Sequence, residues 1–224
     1  MAGPYGVTVG RISRLFAAFR RAPAAGHAPG QAADRQRWIV AGLGNPEAAY
    51  RVSRHNLGFM VADRLAASHD AGFDRRRFHA QVGEIIIDQA SVVLLKPSTY
   101  YNLSGRSVAA ARGYLQVAAQ RLLVVHDDLD LEPGQLRLKR GGTDAGNRGV
   151  RSIAESLGTP EFLRLRIGIG RPVPPLDAAE WVLKPMEPAE LAFFAPVTER
   201  AAQAVVAVIA EGLERAMTLY NQRA

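Results

Sequence analysis

Cysteine is absent from this 224-residue chain, and several other features are missing or scarce. Without cysteine, neither disulfide bonds nor thiolate metal sites are available, which fits a reducing compartment. No apolar run approaches the roughly 20 residues that a membrane-spanning helix needs. The chain also contains no Gly-x-Ser-x-Gly segment, so the usual nucleophiles of covalent hydrolases are without support.

Lysine is scarce as well, and only Lys96, Lys139 and Lys184 occur. Arginine therefore carries most of the formal net charge of +7, and this charge is unevenly distributed. Residues 1–37 contain six arginines and one aspartate, a net charge of +5, which leaves about +2 for the remainder. A charge of +2 is weak support for a polyanionic partner. The content of 48% apolar and 22% charged residues is ordinary for a soluble globular protein.

The first 37 residues differ from the rest because they are rich in alanine, glycine, proline and arginine. We expect a basic, disordered N-terminal extension at residues 1–37 and one folded domain at residues 38–224. The extension is open to three interpretations: a tail that touches nucleic acid, an organelle transit peptide, or the product of an upstream start codon. Many alanines and arginines with few lysines are typical of a GC-rich bacterial genome. We therefore expect a cytoplasmic protein, with an organellar location as the alternative if the extension is a transit peptide.

Predicted strands and helices alternate from Trp38 onward. Strands are predicted in RWIVAGL, RLLVVHDDLD, QLRLK and FLRLRIGIG, and a hairpin in HAQVGEIIID and SVVLLKP with its turn near Gln89. Helices are predicted in RHNLGFMVADRLAASH, NLSGRSVAAARGYL and VRSIAESLG, the last ending at Gly158, and in one terminal helix over residues 196–222. This order predicts an α/β fold: a single domain with a mixed, mostly parallel twisted sheet flanked by helices.

Three polar motifs, GLGNP, KPSTYYN and HDDLD, come at the ends of predicted strands. In such folds ligands bind outside the carboxyl ends of the strands, so the three motifs are expected to converge at one edge. The first motif has two glycines of a dinucleotide fingerprint, Gly42 and Gly44, but Glu47 stands where the third glycine belongs. Because Glu47 would repel a pyrophosphate and Pro46 interrupts the turn, the dinucleotide interpretation is disfavoured.

His55 lies at the predicted start of a helix, where the helix dipole favours the neutral, basic form of an imidazole. That form suits a general base acting on water, provided that a partner orients its other ring nitrogen. Asp127, at the end of a central strand, is a candidate partner. A metal site formed by His126, Asp127, Asp128 and Asp130 remains an alternative, although no second histidine has helical spacing.

Asn102 and the segment KRGGTDAGNRG are the remaining candidates for substrate contact. The Asn102 amide could hold a substrate carbonyl or phosphate, or it could simply cap the helix that follows. The glycine-rich loop offers backbone N–H groups with Lys139, Arg140 and Arg148, which suits phosphate or ribose. The alternative for this loop is a solvated connector.

Taken in order, five segments resemble the bacterial-type peptidyl-tRNA hydrolase family: GLGNPEAAYRVSRHNLGF, LLKPSTYYNLSG, VVHDDLDLEPG, GGTDAGNRGVRSIAESLGT and FLRLRIGIGRP. The resemblance runs from about Trp38 to the C-terminus. It implies hydrolysis of the ester that joins a peptide to the tRNA 3′ ribose, which recycles tRNA from prematurely released peptidyl-tRNA. It further implies no metal and no cofactor, and a monomer that contacts the acceptor stem and 3′ end of its substrate.

The resemblance also assigns roles to individual residues. It makes His55 the catalytic base and Asp127 its partner, and it places Asn45 and Asn102 on the substrate. By the same resemblance Lys139 and Arg166 meet tRNA phosphate. The further candidates for contact with the substrate are Tyr50, Tyr101, Asn147 and Arg148.

Two positions depart from the family pattern. The usual glycine-rich loop reads Gly-Gly-His-Gly-Gly-His-Asn-Gly, and an ungapped alignment places Arg148 where its asparagine stands. Either Asn147 takes over the role of that asparagine or Arg148 contacts the tRNA end differently. The methionine that usually precedes Asn102 is Tyr101, which narrows the expected pocket. A non-catalytic, splicing-factor-like RNA-binding member of the same family is the alternative to an enzyme.

Overall fold

The computed structural model describes residues 36–222, which fold around one seven-stranded sheet. The expected N-terminal extension therefore lies almost wholly outside the described residues. The strands, in chain order, are β1 (Arg37–Gly42), β2 (Arg75–Arg77), β3 (Ala80–Ile87), β4 (Ala90–Pro97), β5 (Leu122–Asp128), β6 (Leu136–Arg140) and β7 (Leu163–Gly168). They lie side by side in the order β2-β3-β4-β1-β5-β7-β6.

The centre of the sheet is parallel and its edges are antiparallel. Strand β1 pairs in parallel with β4 and β5, and β5 pairs in parallel with β7. The predicted hairpin is confirmed as the antiparallel pair β3–β4, and β2 and β6 are antiparallel additions at the two edges. Buried valine, leucine and isoleucine fill the central strands, as expected for strands covered on both faces. The predicted mixed α/β architecture is confirmed.

The described residues form six α-helices: α1 (Leu57–Ser68), α2 (Ser104–Leu115), α3 (Arg148–Leu157), α4 (Ala178–Leu183), α5 (Pro188–Glu211) and α6 (Leu213–Tyr220). Helices α1, α5 and α6 pack on one face through a cluster that includes Leu57, Leu65 and Val205. Helices α2 and α3 pack on the other face through Val108, Val150 and Ile153. The core therefore consists of two apolar layers with the sheet between them.

Four details of the predicted elements are wrong. The expected single terminal helix is two helices, because Gly212 adopts a φ of +91° and ends α5. Helix α2 begins at Ser104 rather than at Asn102, which lies in a preceding 3-10 turn, Tyr101–Leu103. The edge strand β2 and the short helix α4 were not expected. Only α4 has a sequence signal, the Asp177 side chain that accepts hydrogen bonds from Ala179 N and Glu180 N.

Helix α5 is long and apolar enough to cross a membrane by length and composition alone. It is not an uninterrupted apolar run, because Glu190, Glu199 and Arg200 lie within it, so it does not contradict the expectation that no such run approaches this length. The helix contributes buried residues such as Phe194, Ala201 and Val205 to the core beneath the sheet. Its apolar character is therefore explained by packing within the folded domain.

Candidate active site

A cavity of about 560 Å³ opens at the carboxyl ends of the central strands. Its walls come from segments far apart in sequence: the loop after β1, the turns before α1 and α2, the end of β5, the glycine-rich loop and α4. The predicted convergence of GLGNP, KPSTYYN and HDDLD is therefore confirmed. The predicted site residues on its wall are Asn45, His55, Tyr101, Asn102, Asp127, Asn147 and Arg148.

His55 and Asp127 form the centre of this cavity. His55 lies in a 3-10 turn, Arg54–Asn56, that leads directly into α1, and Asp127 lies in β5. The Nδ1 atom of His55 is 2.9 and 3.0 Å from the two carboxylate oxygens of Asp127. Since an ionised carboxylate only accepts hydrogen bonds, Nδ1 donates and the other ring nitrogen, Nε2, is left as the base. The side chain of His55 is 15% exposed, so Nε2 is accessible from the cavity.

Arg54, the residue before His55, anchors this turn to the C-terminal part of the domain. Arg54 is buried, and its guanidinium binds both carboxylate oxygens of Glu190 at 2.5 and 2.6 Å. It also donates to the backbone oxygen of Trp181 at 3.0 Å and stacks over the indole ring at 3.4 Å. Arginine suits this position because one planar group serves a carboxylate, a carbonyl and an aromatic face.

Asn56, the residue after His55, holds the loop that carries Asn45 through hydrogen bonds. The Asn56 side chain accepts from the Asn45 N–H at 2.7 Å and donates to the Asn45 carbonyl at 3.0 Å. Asn45 itself is half-buried on the cavity wall, and its side-chain oxygen accepts from the Glu47 N–H at 3.2 Å. The sequence reasoning missed Asn56, although its place between His55 and the start of α1 was a signal for a structural amide.

Tyr101 lies against His55 and also reaches Asp127. Its ring stacks on the imidazole with a centroid separation of 3.5 Å and an interplanar angle of 16°. Its hydroxyl donates to Asp127 Oδ1 at 3.0 Å and accepts from Asn147 Nδ2 at 2.9 Å. The expectation that Tyr101 narrows the pocket therefore needs extension, because the side chain also contacts both residues of the histidine–aspartate pair.

Asn147 caps α3 while facing this site. Its Oδ1 accepts from the Val150 N–H at 3.0 Å, and its Nδ2 also lies 3.3 Å from the Asp127 carbonyl oxygen. The neighbouring Arg148 is exposed at the cavity mouth. The sequence left open whether Asn147 or Arg148 takes the role of the asparagine in the family's loop. Of the two, Asn147 is the residue whose side chain reaches the interior.

Burial and local charge set the protonation states of the inner groups. Burial raises the pKa of Asp127, but the charge and hydrogen bond of His55, together with His126 and the Tyr101 hydroxyl, lower it below its usual value. Burial, followed by the charge of Asp127, holds the pKa of Tyr101 well above its usual range. Burial lowers the pKa of His126. Asp127 is thus an anion, while Tyr101 and His126 are neutral near pH 7.

The carboxylates of the HDDLD motif have separate partners. Asp127 binds His55, Asp128 binds Arg166 at 2.6 Å, and Asp130 binds Arg171 at 2.5 Å. Within residues 36–222, no group of three or more histidine, aspartate or glutamate side chains has a spacing that suits a metal ion. The arrangement therefore gives no support to the alternative of a metal site at this motif.

Asn102 is exposed on the cavity wall. The residue that caps α2 is Leu103, whose side chain forms no cap hydrogen bond, so the interpretation of Asn102 as a simple helix cap is wrong. It instead lines the cavity, in the turn that also carries Tyr101.

A basic group lies beside the cavity on β6 and β7, where Lys139 pairs in register with Arg164 and Arg137 pairs with Arg166. Burial, with the nearby charges of Arg164 and Arg166, lowers the pKa of Lys139. Arg164 is buried and donates to the carbonyls of Gly142 and Thr143, which fixes the start of the glycine-rich loop. Among the described residues, the predicted site residues that do not line the cavity are Tyr50, Lys139 and Arg166.

A histidine hydrogen-bonded to a buried aspartate, in a cleft at the strand ends of an α/β sheet, is an arrangement that suits a hydrolase. A sequence profile of the peptidyl-tRNA hydrolase family matches residues 39–224. The chain belongs to the peptidyl-tRNA hydrolase family.

Individual relatives agree with this assignment. The chain is 46% identical over 185 residues to the peptidyl-tRNA hydrolase of Symbiobacterium thermophilum, covering 82% of this chain and 98% of the relative. It is 46% identical over 184 residues to that of Frankia casuarinae, covering 82% of this chain and 93% of the relative. The crystal structure of peptidyl-tRNA hydrolase from Acinetobacter baumannii superposes with a TM-score of 0.77 at 34% identity, covering 82% of this chain and 94% of that one. The alignments thus extend over nearly the whole length of these relatives.

Proposed function

We propose that this protein hydrolyses the ester bond between the peptide and the tRNA in peptidyl-tRNA, and so returns free tRNA to translation. The observation that supports this most strongly is the His55–Asp127 pair, whose atoms approach to 2.9 Å inside the cleft of a peptidyl-tRNA hydrolase fold. Residues 38–224 would form the catalytic domain. The enzyme is proposed to act in the cytoplasm as a monomer.

In the proposed mechanism, His55 Nε2 takes a proton from a water molecule as the oxygen of that water attacks the ester carbonyl. The resulting imidazolium keeps its Nδ1–H and donates a hydrogen bond from it to the anionic Asp127, which stabilises the positive charge and fixes the ring orientation. The tetrahedral intermediate then collapses, the C–O bond to the ribose breaks, and His55 returns the proton to the leaving 3′ oxygen. Peptide acid and free tRNA are the products.

Two amides are proposed to position the substrate. Asn45 and Asn102 lie on the same cavity wall as His55, and both side chains are accessible from solvent. An amide offers both donors and an acceptor, which suits the peptide backbone or the carbonyl that is attacked. Tyr50 lies outside the cavity wall, so any contact that it makes would be with a more distant part of the substrate.

Cations beside the cleft are proposed to hold the tRNA. Arg148 at the cavity mouth would meet the 3′ end, and Lys139 and Arg166 would meet phosphates of the acceptor stem. Arg166 is already paired with Asp128, so its net charge toward a phosphate is reduced. A small number of phosphate contacts keeps binding weak enough for rapid release of the tRNA product.

The proposal is tested by incubating the purified protein with N-acetyl-aminoacyl-tRNA and following release of the blocked amino acid. We expect multiple turnovers without added metal, against a slow spontaneous background. An analogue with an amide in place of the ester provides the matched control, because it should bind without being cleaved. Binding of tRNA without any turnover of the ester would contradict the proposal and indicate a non-catalytic RNA-binding role.

A further inference from the structure

Tyr101 contacts both members of the catalytic pair in ways that a wall residue of a binding pocket does not require. It is 6% exposed and therefore offers little surface to a substrate. Its ring covers one face of the His55 imidazole at 3.5 Å, and its hydroxyl lies 3.0 Å from Asp127 Oδ1. These contacts restrict the rotation of both side chains at once.

The hydrogen bonds around Tyr101 have one possible direction. The Val150 N–H occupies Asn147 Oδ1, so the Asn147 Nδ2 group must face the Tyr101 oxygen, to which it donates at 2.9 Å. The Tyr101 proton is then directed at Asp127, which can only accept. Asp127 in turn accepts from His55. A chain of donors thus runs from the N-terminus of α3 through Tyr101 to Asp127, where it meets the hydrogen bond that His55 donates from the other side.

We infer that Tyr101 and Asn147 act together as positioning residues that hold Asp127 and His55 in the geometry for proton transfer. The inference rests on the proposed function of the His55–Asp127 pair. It differs from the expectation that both residues bind substrate, because both act through other protein groups. A positioning role predicts loss of kcat without loss of substrate affinity.

The Tyr101 hydroxyl also tunes the charge of Asp127. It withdraws negative charge from Oδ1, and burial keeps the phenol protonated because it holds the pKa of Tyr101 well above its usual range. Two other ionisable groups adjoin the pair on β5. Asp128 is compensated by Arg166 at 2.6 Å, and burial lowers the pKa of His126, which keeps it neutral.

The test uses Tyr101→Phe, which keeps the stacked ring and removes only the hydroxyl. We expect kcat to fall about tenfold, as for loss of a hydrogen bond to a charged group, with KM within about twofold of the wild type. The acid limb of the kcat profile should move to higher pH, because an Asp127 without this donor holds the His55 proton more tightly. Tyr114→Phe, which removes an exposed tyrosine hydroxyl, is the matched control and should leave both parameters unchanged.

Asn147→Ser tests the second link, since serine still caps a helix but is too short to reach Tyr101. If the two residues act through one chain of hydrogen bonds, the kcat of the double variant should be at most about twofold lower than the kcat of Tyr101→Phe alone. The inference would be overturned if the fold-reduction of kcat in the double variant equalled the product of the reductions in the two single variants. A raised KM with unchanged kcat in Tyr101→Phe would also overturn it, by making Tyr101 a substrate-binding residue.

A measurement without substrate separates this inference from the proposed function. In ¹⁵N-labelled protein, the His55 Nδ1–H resonance, assigned by its absence in His55→Ala, should move downfield in Tyr101→Phe. The expected shift with an inactive wild type would contradict only the esterase proposal. Coincident resonances in wild type and Tyr101→Phe would reject the positioning role, whatever the activity.

Discussion

Arg148 and Asn147 are adjacent in sequence but have different surroundings in the fold. Asn147 reaches inward to Tyr101 and caps α3, whereas the Arg148 side chain is exposed at the cavity mouth. Because capping residues adopt extended backbone and the next residue enters the helix, neighbouring side chains at this point diverge. Asn147 therefore belongs to the interior, whereas Arg148 is available for the substrate contact proposed above.

Replacing Arg148 by asparagine should weaken substrate binding rather than chemistry. We expect KM to rise about three- to tenfold at low salt and kcat to stay within about twofold. The salt dependence of the binding affinity should decrease by the amount that corresponds to about one phosphate contact. Steady-state kinetics at several salt concentrations measures this. Arg76→Asn, at an exposed position on the opposite edge strand, is the control and should change neither parameter. An increase in kcat on Arg148→Asn would show instead that the arginine hinders catalysis.

The strand-end motifs predicted that Asn45, Asn102 and Asp127 meet at one edge of the sheet, and the predicted start of a helix indicated His55; all four line the cavity. The contact of Tyr101 with Asn147 could not be predicted in the same way. The two residues are 46 positions apart, and their meeting depends on how α2 and α3 pack on the sheet. Periodicity defines the face of a helix but not the neighbour of a single hydroxyl.

At the scale of elements, the turn that carries His55 is placed by a close approach of α1 to the sheet. A Cβ atom at Gly58 would overlap the backbone nitrogen of Leu43 and the backbone oxygen of Val125. Helix α1 can therefore begin directly beneath β1 and β5 only with glycine at this position. This contact sets the position of His55 relative to Asp127.

Gly58→Ala should destabilise the domain by about 2–4 kcal/mol, because the overlapping atoms are backbone and cannot rotate away. Activity of the folded fraction should fall as well, since His55 lies three residues earlier. Urea denaturation measures the free energy of unfolding. Gly113→Ala, in α2 with open space around it, is the control and should stabilise by about 0.5–1 kcal/mol through helix propensity. Equal effects of the two substitutions would contradict this account of α1.

Element prediction succeeded where the apolar pattern was strong and failed where one residue decides the outcome. The apolar pattern of the C-terminal segment continues through residue 212 and predicts one helix. The positive φ of Gly212 divides this segment into two helices. Strand β2 consists of three arginines that pair only at the sheet edge, so neither periodicity nor propensity marks it. Arginine side chains at an edge also discourage pairing with a second sheet.

At the scale of the whole molecule, the residues proposed to act all lie within the described part of the chain, residues 36–222. The relatives named above align with about 82% of the chain, and the family profile begins at residue 39. Residues 1–37 carry a net charge of +5, against about +2 for the remainder. The proposed catalytic domain, residues 38–224, and the extension can therefore be tested separately.

Deleting residues 1–36 should leave kcat within about twofold of the full-length value, since no proposed catalytic or binding residue is removed. Comparing KM at low and high salt then shows whether the extension contacts tRNA: a reduced salt dependence in the shortened protein would indicate that it does. Loss of kcat in a shortened protein with an unchanged free energy of unfolding would contradict the assignment of catalysis to residues 38–224.

The central claim is that His55 is the general base of an ester hydrolysis on peptidyl-tRNA. Its most direct test is a single-turnover comparison of wild type and His55→Ala on N-acetyl-aminoacyl-tRNA, with the dissociation constant of the amide-linked analogue measured for each. We predict a rate at least about 100-fold lower in His55→Ala, with the dissociation constant nearly unchanged. A rate close to that of the wild type, or a loss of binding equal to the loss of rate, would contradict the claim.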